Sequence, residues 1–273
     1  GTMSSTPGST PVEQPNKTRN LVFIVLGAVI ILATYLYLII GQPTDIAAGL
    51  GPSALIALAG YLIGAILIGV GAIHRLPTNT LVLIPVAIAV NIVVGQLTAA
   101  LGLPFYFDSI GTILVAVVAG PAAGAVTGAF TNVIWGLTLS PLALPFAITA
   151  IVIGVLAGYA ARIGVFRTYY LPPIAGAVTG VFAALVSAPI AAFIFGGATG
   201  GGTGAIVAAF QAFGKSLLAS TTLQGLLSDP LDKAITFTVV MLILLALPTR
   251  FKQRFPFVRQ YNVLPGMKSK KLD

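Results

Sequence analysis

Long apolar runs separated by short polar stops set the pattern of this chain. A helix needs about 20 residues to cross ~30 Å of hydrocarbon at ~1.5 Å per residue. That spacing predicts spans at 21–41, 53–73, 80–101, 144–162, 171–195 and 231–248. The stretch 105–138 is too long for one span and short for two. Gly120-Pro121 breaks it, a pair suited to a turn and a new helix start, so it reads as a tight hairpin of two short helices, with a re-entrant loop as the alternative. In 205–227 the apolar residues Ile206, Phe210, Phe213 and Leu217 share one helical face, and Gln211, Lys215 and Thr222 another. That is the pattern of an amphipathic helix lying on a surface. The fold class that follows is an all-α polytopic membrane helix bundle.

Charge sharpens this picture. Only 14 Lys and Arg and 6 Asp and Glu occur in 273 residues, and none between Asp108 and Arg162 or between Arg167 and Lys215. Soluble domains are about a quarter charged. Basic residues end the apolar runs: Lys17 and Arg19 before the first, Arg75 after the second, Arg162 and Arg167 after the fourth, and Arg250, Lys252, Arg254 and Arg259 after the last, with Lys268, Lys270 and Lys271 beyond. By the positive-inside rule these ends face the cytoplasm. Both termini are then inside, eight crossings are made, and Asp45, Asp108, Asp229 and Asp232 fall outside. A ninth crossing by 205–227 would turn the basic tail outward. The net charge of +8 is therefore a topology signal and an attraction to anionic membrane lipid, not a nucleic-acid surface.

Residues 1–20 read as a disordered tail that starts with a cloning remnant before Met3. The first apolar run is long enough to stay as a span. Residues 21–75 form a first helix pair, 76–250 a membrane core and 251–273 a basic tail. Small residues recur four apart at Gly60/Gly64, Gly120/Gly124/Gly128, Gly154/Gly158 and Gly176/Gly180, which favours close helix packing in lipid. The glycine-rich loop 196–204 lacks the ending of a phosphate-binding loop and reads as a flexible outer loop. The chain has no cysteine, and its one histidine, His74, flanks a helix end.

Polar groups inside a membrane bundle are costly, so each is a candidate site. They gather in the outer half: Tyr106, Asp108 and Ser109 after the third span, Asn132 and Trp135 in the second hairpin helix, Gln211 and Lys215 on the surface helix, and Asp229, Asp232 and Lys233 at the start of the final span. Asn91 lies deeper. Asp229 before Pro230 is also the pattern of a helix start. Acids, lysines and amides around aromatic rings suit a small polar ligand. No Ser/His/Asp set, metal cluster or nucleotide loop stands in the sequence, so neither an enzyme nor a resident cofactor or metal is expected.

The segments N91-I-V-V-G-Q, L103-P-F-Y-F-D-S-I-G-T through G-P-A-A-G to W135, and S228-D-P-L-D-K233 resemble the substrate-binding S components of energy-coupling factor (ECF) transporters. The resemblance covers about residues 80–255. It implies a six-helix core with both termini cytoplasmic in a prokaryotic plasma membrane, plus two extra N-terminal helices here. It also implies a vitamin-like ligand in an outward cavity under loops 102–108 and 196–228. The partners implied are a transmembrane scaffold subunit and two cytoplasmic ATPase subunits. A docking register on the first core helix reads Ala87, Asn91, Gly95, Ala99, a partial match. A membrane ligand sensor or a stand-alone facilitator is the alternative.

Overall fold

How closely two helices approach in lipid depends on what lies between their backbones, and in this chain it is repeatedly hydrogen or a methyl group. The structure, a computed structural model, describes residues 17–46, 51–197 and 202–266. The helices are α1 (Lys17–Gly41), α2 (Pro52–Ala72), α3 (Thr78–Ala100), α4 (Ile110–Ala119), α5 (Pro121–Thr138), α6 (Ala147–Arg162), α7 (Leu171–Phe195), α8 (Thr203–Ala212), α9 (Leu217–Ala246), α10 (Thr249–Lys252) and α11 (Pro256–Gln260). Among the described residues, five segments are long and apolar enough to cross a membrane: α1, α2, α3, α7, and α6 with the 3-10 turn before it. The chain is a multi-pass helical membrane protein. Its outward faces carry bare aliphatic side chains, such as Leu21, Val25 and Val29 on α1 and Val82, Val86 and Val93 on α3.

The long helices pack as antiparallel pairs. On α7, Gly176 and Gly180 rest on the α9 backbone at Lys233 and Asp229, where a Cβ would collide with main-chain atoms. α9 is thereby held with its charged residues at a set depth. The α5/α6 pair closes in the same way, Gly124 against Gly154. Between α4 and α5 the chain reverses at Gly120, whose φ of +98° is open to glycine and strained for other residues. The expected hairpin of two short helices is therefore present, and Pro121 opens its second helix.

Three expectations change. α9 is continuous from Leu217 to Ala246, so the second half of the expected surface helix belongs to it. Ser216 caps its start by accepting a hydrogen bond from the Ala219 N–H at 3.2 Å. Pro230 lies inside this helix, and Asp229 is not a cap. A proline lacks only one N–H, and α9 absorbs that loss by packing along α7. Second, Lys17–Asn20 already form the first turn of α1, and the expectations for 1–16 lie outside the described residues. Third, residues 251–266 are not a free tail. Phe255, Val258, Val263 and Leu264 are buried among Val117, Ala161, Phe166 and Leu244. Apolar residues spaced between the basic ones have a core to fill. Lys268, Lys270 and Lys271 lie outside the described residues, as do 198–201 of the glycine-rich loop.

The register Ala87, Asn91, Gly95 turns inward. Gly111 of α4 packs on Ala87, Asn91 is fully buried, and Trp135 crosses Gly95. These three positions are occupied by the chain's own helices, so they offer no docking surface; Ala99 at the end of α3 is exposed.

Candidate functional site

At the end of the bundle opposite the basic flanks, α3, α5, α6, α7 and α9 part around a cavity of about 190 Å³. This is smaller than the ~300–1,000 Å³ of clefts for drug-sized ligands. Its wall includes small residues such as Ala150, Ala183, Ala184 and Ala188. Where larger side chains would meet, these leave space.

Of the residues expected from sequence, Tyr106, Asp108, Ser109, Asn132, Trp135, Asp229 and Lys233 line this cavity. Trp135, Asn132 and the Lys233 cluster are each held in a different way. Trp135 lies across Gly95, where a Cβ would enter its ring, and its indole N–H donates to Gln96 Oε1 at 2.9 Å. Asn132 Nδ2 donates to the Ala143 carbonyl at 2.8 Å, tying α5 to the 3-10 turn Pro141–Phe146. Lys233 Nζ donates to Ser109 Oγ and to Asp232 Oδ1, each at 3.3 Å, and stands 3.7 Å from Asp108 Oδ1. An ammonium shared by three oxygens joins α9 to the start of α4.

The other four expected residues sit elsewhere. Asp232 is fully buried behind the wall. It accepts the backbone N–H of Tyr106 at 3.0 Å and of Phe107 at 3.4 Å, and the Thr236 hydroxyl at 3.3 Å. It pins the 102–108 loop, in which Phe107 adopts φ +52°. That left-handed conformation is unusual for a bulky residue; here it turns two successive N–H groups onto one carboxylate. Asn91 Oδ1 accepts from the backbone N–H of Gly111 at 2.7 Å and of Thr112 at 3.3 Å, while its Nδ2 donates to the Thr112 and Thr131 hydroxyls. Asn91 thus caps α4 from a neighbouring helix and bonds α3 to α5. Gln211 and Lys215 are exposed on α8 and in the turn after it, off the cavity wall. The helical face they were read from ends at Ala212.

The wall also includes Gln96, Ser140, Thr149, Ser187, Thr221 and Gln224, which sequence reasoning passed over. Thr149 and Ser187 share a hydrogen bond of 2.7 Å between α6 and α7. A signal existed for Thr221 and Gln224. With Gly225, Asp229 and Lys233 they form one helical stripe that continues through Pro230, and the assumed break there hid it.

The loop 102–108 contributes Phe105 and Tyr106 to the cavity wall and is tied to the start of α8. Gly202 N–H donates to the Leu103 carbonyl at 3.1 Å, and the hydroxyls of Tyr106 and Thr203 meet at 3.3 Å. The segment leading into α8 is thereby fastened to the α3–α4 loop. Among the described residues, no cluster of His, Cys, Asp and Glu is placed to hold a metal ion.

Fold and cavity together define a helical multi-pass membrane protein with a partly open, mostly apolar chamber near one end, into which a few charged and amide side chains project. Compared with protein-family models, curated proteins and solved structures, the chain matches none.

Proposed function

We propose that this chain is the membrane-embedded binding subunit of an ECF-type importer, taking up a vitamin or a related small metabolite with energy from a transmembrane scaffold subunit and two ATPase subunits. The observation that carries this reading is the chamber: a small cavity in which aromatic rings, amides and charged groups from five helices and the 102–108 loop meet, that loop being tied to the start of α8. Such a wall suits retention of one small molecule by stacking and hydrogen bonding. The opposite end is packed with Phe255, Val258, Val263 and Leu264, which speaks for release through a partner-driven movement and against a stand-alone facilitator. In this reading the basic end faces the cytoplasm of a prokaryotic cell, and residues 76–250 are the binding core.

Two experiments test it. Purification of the tagged chain from its native membrane should bring the scaffold and ATPase subunits with it. Reconstituted vesicles should then accumulate the ligand found by mass spectrometry only when ATP is supplied. Accumulation by the isolated chain without ATP would overturn the proposal.

A further inference from the structure

The chamber wall holds bonding capacity that the protein itself leaves unused. The Lys233 ammonium is already shared among Ser109, Asp232 and Asp108. Asp232 is filled by two backbone N–H groups and a hydroxyl. Asp229, one helical turn before Lys233, differs. Its residue is 7% exposed and lies on the cavity wall, yet among the described residues no donor is within hydrogen-bonding distance of its carboxylate. Gln224 lies on the same stripe of α9. It is 5% exposed, and its buried Nε2 meets no acceptor. Between them Gly225 holds α9 against Ala184, so both side chains are carried on a stretch of helix fixed in depth.

Charge points the same way. Asp108, Asp229 and Asp232 surround a single cation, Lys233. A buried carboxylate with no hydrogen-bond donor, beside an ammonium it shares with two other carboxylates, is unfavourable in a bundle enclosed by lipid, and a cation brought by a ligand would relieve it. An anionic ligand would meet the reverse: the one ammonium is engaged, and two carboxylates face it. The rings of Trp135, Phe146, Phe105 and Tyr106 on the same wall supply surfaces for a flat ring and for a cation beside it.

Resting on the importer reading, we infer that the chamber accepts a small aromatic or heteroaromatic compound bearing a positively charged nitrogen with N–H donors, the nitrogen placed against Asp229 and a ring acceptor against Gln224. A cavity of about 190 Å³ limits the ligand to one or two rings.

The test uses three probes of nearly equal shape and different charge: benzamidine, benzamide and benzoate. Trp135 is the only tryptophan of the chain and stands on the wall, so its fluorescence reports occupancy of the full-length protein in detergent. Benzamidine is expected to give a saturable change with Kd near ~1 mM, as befits a fragment, and to bind at least tenfold tighter than benzoate. Asp229→Asn should abolish that preference. Should this variant fail to fold, Gln224→Glu adds a second carboxylate to the same stripe and should tighten benzamidine several-fold. Benzoate binding as well as benzamidine, a benzamidine response untouched by Asp229→Asn, or no response up to ~10 mM would overturn the inference. None of these readings involves the energising partners. Loss of the cation preference with retention of the ATPase complex removes the ligand class alone, and the opposite result removes the importer reading alone.

Discussion

The two ends of the bundle share α6, α7 and α9 and are finished in opposite ways. At the basic end, α4, α6, α7 and α9 converge on Val117, Ala161, Phe166, Phe237 and Leu244, and the returning chain drives Phe255, Val258, Val263 and Leu264 into the remaining space. At the other end alanines, hydroxyls and two glycines, Gly95 and Gly225, stand among the aromatic and charged side chains, and the space stays open. Helix contacts as close as Gly180 on Asp229 occur beside the cavity, and Gly176 on Lys233 lies one turn away. The cavity is therefore not a product of loose packing. Tight backbone contact along α7 and α9 keeps the helices from collapsing into the space that small side chains leave.

The sharpest way to break this contrast is Phe255→Ala. Emptying the most aromatic part of the sealed end should lower stability by about 3–5 kcal/mol, read as a fall in melting temperature in detergent. Trp135 emission of the remaining folded protein should not move. A change in that emission would mean that the two ends are not independent.

Gly95→Ala tests the open end. Its methyl group would occupy the place of the Trp135 ring and press on the Asp108 Cβ. An overpacking loss of about 1–3 kcal/mol is expected, with a shift of Trp135 emission and weaker benzamidine binding. Unaltered fluorescence would show that the ring is not braced by α3.

The smallest effect concerns the α1–α2 loop. Asp45 Oδ2 accepts the Ser53 backbone N–H at 2.9 Å, and hydrogen bonds from Ser53 hold its carboxyl below the ordinary value of 3.8. A carboxyl held low in the folded state adds stability above its ordinary value and loses it as the pH falls through the folded value. Asp45→Ala should flatten the acid limb of the melting-temperature profile slightly and leave Trp135 emission unchanged. An unchanged acid limb would show that this bond adds nothing to stability.

Five of the six long spans, the break at Gly120-Pro121 and the gathering of several polar residues near one end were legible in the sequence, because lipid imposes length and apolarity locally along the chain; the expected span at 231–248 is instead the second part of the long helix α9. Which polar residue does what was not. Asn91 and Asp232 look like site residues by depth alone. Whether they face a ligand or satisfy backbone N–H groups of another segment depends on helix rotation and on a loop conformation set by distant contacts. Gln96 became part of the wall only by meeting the Trp135 indole, 39 residues away. The continuity of α9 through Pro230 was decided by its neighbour, since glycines on α7 admit the α9 backbone closely enough for packing to outweigh one missing hydrogen bond. Hydropathy is a property of single residues, and it determined which segments of this chain are long and apolar enough to cross a membrane. The cavity is a relation between side chains far apart in sequence, and only tertiary packing could decide it.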